Sequence, residues 1–213
     1  MTLAQALAAH HLEILGGFYP EPEDSAPPGT GTLLLVGPAE PGFWAHLTAQ
    51  PEWRDGQRDP VDRWSERVLV NIASAHSATA IFPFGGPPYH PFYRWALRTG
   101  RIWESPVRLL VHEHQGLMVS FRGALALRDR IDLAPPAARP CDGCVAKPCL
   151  SACPVGALTN LGYDVPACHA YLDTGSDCLN EGCHPRRACP LSQGYARLAE
   201  QSAYHMRRFH GVD

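Results

Sequence analysis

All eight cysteines of this 213-residue chain lie between Cys141 and Cys189. They run Cys141-x2-Cys144-x4-Cys149-x3-Cys153-Pro154, then Cys168, then Cys178-x4-Cys183-x5-Cys189-Pro190. Thiolate sulfur is the side-chain donor that selects zinc, copper(I) and iron–sulfur clusters. Eight thiolates make two complete sets of four, which is what two 4Fe–4S clusters require, with none to spare. Three other thiol chemistries fit less well. A disulfide framework suits a short secreted chain, but the N-terminus, MTLAQALAAHHLEIL, has no basic leader and is broken by His10, His11 and Glu13. Zinc favours compact C-x2-C pairs and gives no reason for two Cys-Pro endings. Scattered buried thiols would not leave the first 140 residues without a cysteine.

The Cys-Pro endings suggest how the sulfurs are shared. Proline fixes φ and turns the chain away, and in bacterial two-cluster ferredoxins the cysteine before it ligates the other cluster. By that rule one cluster takes Cys141, Cys144, Cys149 and Cys189, and the other takes Cys153, Cys168, Cys178 and Cys183. The spacings are wider than the ferredoxin run C-x2-C-x2-C-x3-C-P, with extra residues at 145–148 and 180–182.

The elements that must position these thiols are read from periodicity and punctuation. Leu3, Leu7, Leu12 and Leu15 predict a helix over 3–15, and the run Thr32-Leu-Leu-Leu-Val36 a strand. A short helix from Pro41 carries Phe43, Trp44 and Leu47. Asp59-Pro60 predicts an N-cap and first turn, followed by a stripe of Val61, Trp64, Val68, Ile72 and Ala75 at helical spacing. Ala80–Phe82 predicts a strand and Phe92–Leu97 a helix. Val107–Val111 and Leu117–Phe121 predict two more strands joined through Gln115-Gly116, the second extending toward Leu127. Helices and strands mix without strict alternation, which predicts an α+β fold. Three prolines in 135–140 predict a stiff linker. Tyr195, Leu198, Ala199, Ser202, Met206 and Phe209 predict a C-terminal helix packing back on the first domain. The expected domains are therefore 1–134, a cysteine module at 135–194, and a terminal helix at 195–213.

The hydrophobic fraction of 45% suits a packed core, and a formal charge of −3 argues against a dedicated nucleic-acid binder. Lys147 is the one lysine, beside 17 arginines. No apolar run approaches the roughly 20 residues of a membrane span. Labile clusters without a leader predict the reducing cytoplasm, and no membrane or nucleic-acid partner.

Residues 141–189, with Ala167-Cys168-His-Ala-Tyr-Leu172 between the two cysteine groups, resemble the ferredoxin module of the epoxyqueuosine reductases. Residues 17–134 resemble the cobalamin-processing decyanases and dealkylases, the family of the human cobalamin C disease protein. That resemblance rests on a Pro/Gly loop before an apolar strand, on Asp59-Pro-Val-Asp62 opening a helix, and on His112 upstream of Phe121-Arg122-Gly123. It implies a nitroreductase-like mixed sheet with flanking helices that holds a corrinoid, followed by a small bacterial-ferredoxin-like dicluster domain. It also implies cofactor-binding roles for Arg122, which matches an arginine in a pocket beside the corrinoid, for the Tyr89-His90 pair, and for His112. In the epoxyqueuosine reductases an acidic residue precedes the Tyr-His pair, whereas Pro88 stands there in this chain, which speaks against opening an epoxide.

The expected function is thus an iron–sulfur redox protein that binds cobalamin and passes electrons from two 4Fe–4S clusters to its cobalt. Its electrons would come from a flavodoxin or ferredoxin-reductase type of partner. The alternatives are an iron–sulfur flavoprotein holding FMN or FAD, and a non-enzymatic ferredoxin-type carrier. No residue is singled out as catalytic. His169 and His184, each beside a cysteine, are candidates for hydrogen bonds to sulfur, and Arg186-Arg187 for screening a negative cluster.

Overall fold

The computed structural model describes residues 1–212. Eleven α-helices and six strands follow one another as α1 (Leu3–Ala8), β1 (Leu12–Phe18), β2 (Thr32–Pro38), α2 (Phe43–Thr48), α3 (Pro51–Arg54), α4 (Pro60–Ala75), β3 (Ala78–Ile81), α5 (Phe92–Arg98), β4 (Ile102–Glu104), β5 (Leu110–His112), β6 (Gly123–Leu127), α6 (Pro140–Gly143), α7 (Val165–Leu172), α8 (Cys178–Glu181), α9 (His184–Ala188), α10 (Pro190–Gly194) and α11 (Ala199–His210). This is the mixed α+β composition expected. The chain divides into two compact units: residues 1–102 with 120–137, and residues 103–119 with 138–213.

Unit 1 is built on a four-stranded sheet of order β1-β2-β6-β3, antiparallel at every pairing. All seven residues of β2 are buried, so both faces of that strand are covered. Helix α4 packs on β3 and β6. Its stripe holds at Val61, Trp64, Val68 and Ile72, and broadens through Ser65, Leu69 and Ala73, while Ala75 is exposed. Asp59 does occupy the N-cap position of α4, but in the left-handed region (φ 53°) and without a side-chain cap.

One expected element is replaced outright. The helix over 3–15 stops at Ala8, closed at its start by a Thr2/Gln5 capping box, and His11 turns the chain at φ 53° into β1. The leucine spacing misleads because β1 carries a bulge between Ile14 and Gly16. A bulge adds one residue to one strand, so Leu12 and Leu15, three apart, are both buried within a strand.

Unit 2 takes in residues 103–119, which the sequence assigned to the first domain. Of the two strands expected there, only Leu110–His112 forms, paired with β4. Residues 117–119 are buried without strand pairing, and the strand predicted to extend from them starts afresh at Gly123 in unit 1. The break has a local cause: His112 and Gly116 bond reciprocally through their backbones, at 3.0 Å each way, and close a tight turn. The C-terminal helix α11 packs on α8 within unit 2, through buried Gln201, Ser202 and Ala203. The Leu198, Ala199 and Phe209 positions of the expected stripe are exposed. Gly182, just past α8, lets this helix approach: a Cβ there would lie 2.5 Å from Ser202 Cβ, and its φ is +95°.

Candidate metal centre

The cysteines sit where short elements begin and end. Cys141 lies in α6 and Cys144 caps its C-terminus. Cys149 lies in a 3-10 turn, Pro148–Leu150. Cys168 is in α7, Cys178 opens α8, and Cys183 is the N-cap of α9. Cys189 ends α9 and caps α10, with Pro190 at the first helical position, where a missing N–H costs nothing. At Cys153-Pro154 the chain makes a turn instead of a helix, closed by Gly156 N–H donating to the Cys153 carbonyl at 3.1 Å. None of the eight is in a disulfide.

Cys189 joins the distant first triplet instead of its sequence neighbours. Cys141, Cys144, Cys149 and Cys189 line one cavity of about 400 Å³, together with Val111 and Leu117. Its wall is mostly apolar, and Cys149 and Cys189 belong to the same buried core as Val107, Val111, Leu117 and Leu158. The turn at 112–116 is held against this core by tight packing. Gly116 has φ +57°, and a Cβ on it would lie 2.5 Å from Ser192 N and 3.0 Å from Cys189 Sγ. Ser192 Oγ accepts from Leu117 N–H at 2.9 Å, and the Arg186 guanidinium donates to the Leu117 carbonyl.

The other four are Cys153, Cys168, Cys178 and Cys183. Cys168, Cys178 and Cys183 are near enough for their thiolate charges to disfavour one another, and Cys153 and Cys178 both act on Tyr171. Donors reach all four sulfurs: Ala157 N–H to Cys153 at 3.3 Å, the Tyr163 hydroxyl to Cys168 at 3.2 Å, and the backbone N–H groups of His184 and Arg186 to Cys178 and Cys183.

Burial pushes the thiols of Cys141, Cys149 and Cys178 above their ordinary range, and that of Cys183 up to about 11. Neighbouring cysteines add to the rise at Cys141 and Cys149. Without metal these sulfurs hold protons, so a metal must displace them, and loading is favoured by higher pH. Burial raises the Tyr163 hydroxyl too, reinforced by its bond to Cys168, so it remains a donor.

The two histidines beside cysteines have other partners. His169 Nδ1 lies 2.8 Å from His210 Nδ1, and His184 Nε2 lies 2.8 Å from Asp177 Oδ1. The His184 bond also holds the Asp177 carboxyl below the usual range. Arg187 pairs with Glu181 and Asp177. Asp177, Cys178 and His184 offer oxygen, sulfur and nitrogen donors within 4.8 Å of one another, but the first and last are hydrogen-bonded together. The sulfur donor missed from the sequence is Tyr163, five residues from its cysteine, a spacing that carries no recognisable motif.

The residues implied for a corrinoid fall in both units. Tyr89, His90 and Arg122 lie in unit 1 and His112 in unit 2. Tyr89 is 66% exposed, and its ring covers Gly86. His90 lies against the Trp95 ring, centroids 5.6 Å apart. Arg122 donates its backbone N–H to Val36 and places its guanidinium 3.6 Å from Asp62. His112 is buried, and its Nδ1 accepts from the N–H groups of His114 and Gln115, each at 3.2 Å, which stiffens the turn. Among the described residues no helix is long and apolar enough to cross a membrane. Compared with protein-family models, curated proteins and solved structures, the chain matches none.

Proposed function

We propose that the chain is an iron–sulfur redox protein whose eight cysteines hold two 4Fe–4S clusters. The observation that carries this reading is the convergence of Cys141, Cys144, Cys149 and Cys189 on one apolar cavity, with Cys189 crossing from the far end of the cysteine segment. A disulfide protein has no use for four free sulfurs around a cavity, and the crossing follows the ligation rule of two-cluster ferredoxins. Cys153, Cys168, Cys178 and Cys183 make the second set. Each cluster, when bound, accepts or gives up one electron at a potential set by its surroundings. The protein's part is to supply thiolates, keep water from the first site through Val111 and Leu117, and donate hydrogen bonds to sulfur at the second.

The acceptor we propose is the cobalt of a corrinoid, held by unit 1 as a nitroreductase-like scaffold, and the product is a lower oxidation state that loses its upper ligand. This part is supported by the resemblance of residues 17–134 to the cobalamin-processing family, with Arg122 as the residue carried over. A fused electron source makes delivery intramolecular and raises effective concentration.

The test begins with anaerobic purification. Protein loaded with iron and sulfide should carry about eight of each per chain and bleach on reduction. Stoichiometric zinc without a reducible chromophore would end the cluster reading. Cys189→Ala should damage the same cluster as Cys149→Ala, and damage shared with Cys178→Ala would break the crossed assignment. Reduced protein mixed with cob(III)alamin should then yield cob(II)alamin as the clusters reoxidise, without added thiol or flavin. Cobalamin unchanged beside tight flavin binding would move the acceptor to FMN or FAD.

A further inference from the structure

Resting on the reading that Cys168 ligates the second cluster, we infer that Tyr163 is a positioning residue that raises the reduction potential of that cluster through its hydroxyl. The hydroxyl donates to Cys168 Sγ at 3.2 Å, within the range for a bond to sulfur. The ring is fixed from several sides. Its backbone bridges to Leu158, its side chain packs against the buried core that includes Leu158 and Cys149, and its face stacks on Phe209 at 6.0 Å and 19°. Phe209 is backed in turn by His169, ring centroids 4.7 Å apart. A tyrosine held this firmly does not swing away to find water.

A donor aimed at a ligand sulfur withdraws electron density from the iron–sulfur bond. The reduced cluster carries one more negative charge than the oxidised one, so it gains more from the donor, and the potential rises. Hydrogen bonds to charged acceptors are also the stronger ones. Cys153, Cys178 and Cys183 receive backbone N–H groups instead, from Ala157, His184 and Arg186, which no substitution short of proline removes. Tyr163 is therefore the side chain whose hydrogen bond tunes this potential, beside the charges of Arg186 and Arg187, and it makes the kind of bond to sulfur that the sequence suggested for His169 and His184.

The experiment is a redox titration of the loaded full-length protein followed by electron paramagnetic resonance, with Cys183→Ala used to identify the second cluster's signal. Tyr163→Phe, which removes one oxygen, should shift that midpoint to more negative potential and leave the first cluster's midpoint and the iron content unchanged. If phenylalanine loses the cluster, 3-fluorotyrosine introduced at position 163 gives the decision. It is a stronger donor of nearly the same size and should raise the same midpoint. Two clusters present with the second midpoint unmoved in the variant that holds it would overturn the inference alone. A parent protein with no reducible cluster would overturn the reading beneath it as well.

Discussion

The two units reach order by different physical routes. Unit 1 has the hydrocarbon it needs: Leu33, Leu35, Val36, Trp64 and Leu69 are fully buried, β2 is covered on both faces, and a 16-residue helix lies across β3 and β6. Unit 2 has six helices of four to twelve residues and a thin core in which Cys149 and Cys189 stand beside Val107, Val111, Leu117 and Leu158. A segment that cannot bury enough apolar surface is commonly stapled by metal or disulfides, and here the sulfurs are free. The comparison teaches that thiols of unit 2, those of Cys149 and Cys189, are part of the fill of its core. If these sulfurs hold the clusters proposed above, folding of unit 2 should be coupled to metal, while that of unit 1 should not.

The largest expected effect is loss of metal. Removing iron with a chelator under reducing conditions should melt the cysteine-bearing unit, since site binding in small metal-held domains contributes on the order of 10 kcal/mol of folding free energy. Limited proteolysis of apo-protein should cut within 140–195 and spare 1–100. A protease-resistant apo segment would break the comparison. Next comes Leu34→Ala in the central strand of unit 1, where the side chain is 1% exposed. It should lower stability by about 2–5 kcal/mol, read as a fall in the sheet unit's thermal midpoint with cluster absorption unchanged below that midpoint. Simultaneous loss of the cluster signal would mean the units are not independent in folding.

Gly182→Ala probes the other side of the contrast. The position needs φ +95° and open space toward Ser202, so a methyl group meets backbone strain and a clash together. Left-handed strain alone costs about 1–3 kcal/mol. The expected result is faster loss of iron from the second cluster in a chelator time course, with the first cluster slower to respond. Equal rates in variant and parent would mean that α11 is not what holds α8 in place.

This contrast also explains what was legible in the sequence. The cysteine segment could be read because thiols are scarce and proline punctuates strictly, and Cys189 lines one cavity with Cys141, Cys144 and Cys149. Helix α4 could be read because its stripe repeats over sixteen residues. The strand β1 was hidden because its bulge gave leucines a helical spacing, and local periodicity has no access to a pairing twenty residues away. The 103–119 segment was misassigned because its apolar residues look like strand, and what fixes them, Ser192 and Arg186, comes seventy residues later. Tyr163 and Gly182 act through contacts with α7 and α11 that no spacing announces.

The smallest effect belongs to Arg122, and it separates a structural role from a ligand-binding one. Its guanidinium lies 3.6 Å from the Asp62 carboxylate, with the arginine side chain 12% exposed and the aspartate 37%. Burial raises the Asp62 carboxyl above its usual range, Arg122 opposes that rise, and Asp59 adds to it. A carboxyl raised on folding gives its full stability below its unfolded pKa and loses it as pH climbs through the folded value. Arg122 offsets that loss only while Asp62 is ionised. Arg122→Ala should therefore cost no more than about 1 kcal/mol at neutral pH, as partly exposed pairs do, and the cost should shrink as acid protonates Asp62. Chemical denaturation of unit 1 at neutral pH and near pH 4 measures the difference. Asp62→Asn should remove the part of the pH dependence and of the Arg122 effect that this pair carries. If Arg122→Ala also weakens cobalamin binding while Asp62→Asn spares it, the arginine serves the corrinoid beyond its ion pair. If both variants bind cobalamin like the parent, Arg122 is a strut of the α4–β6 contact, and the corrinoid must be gripped elsewhere.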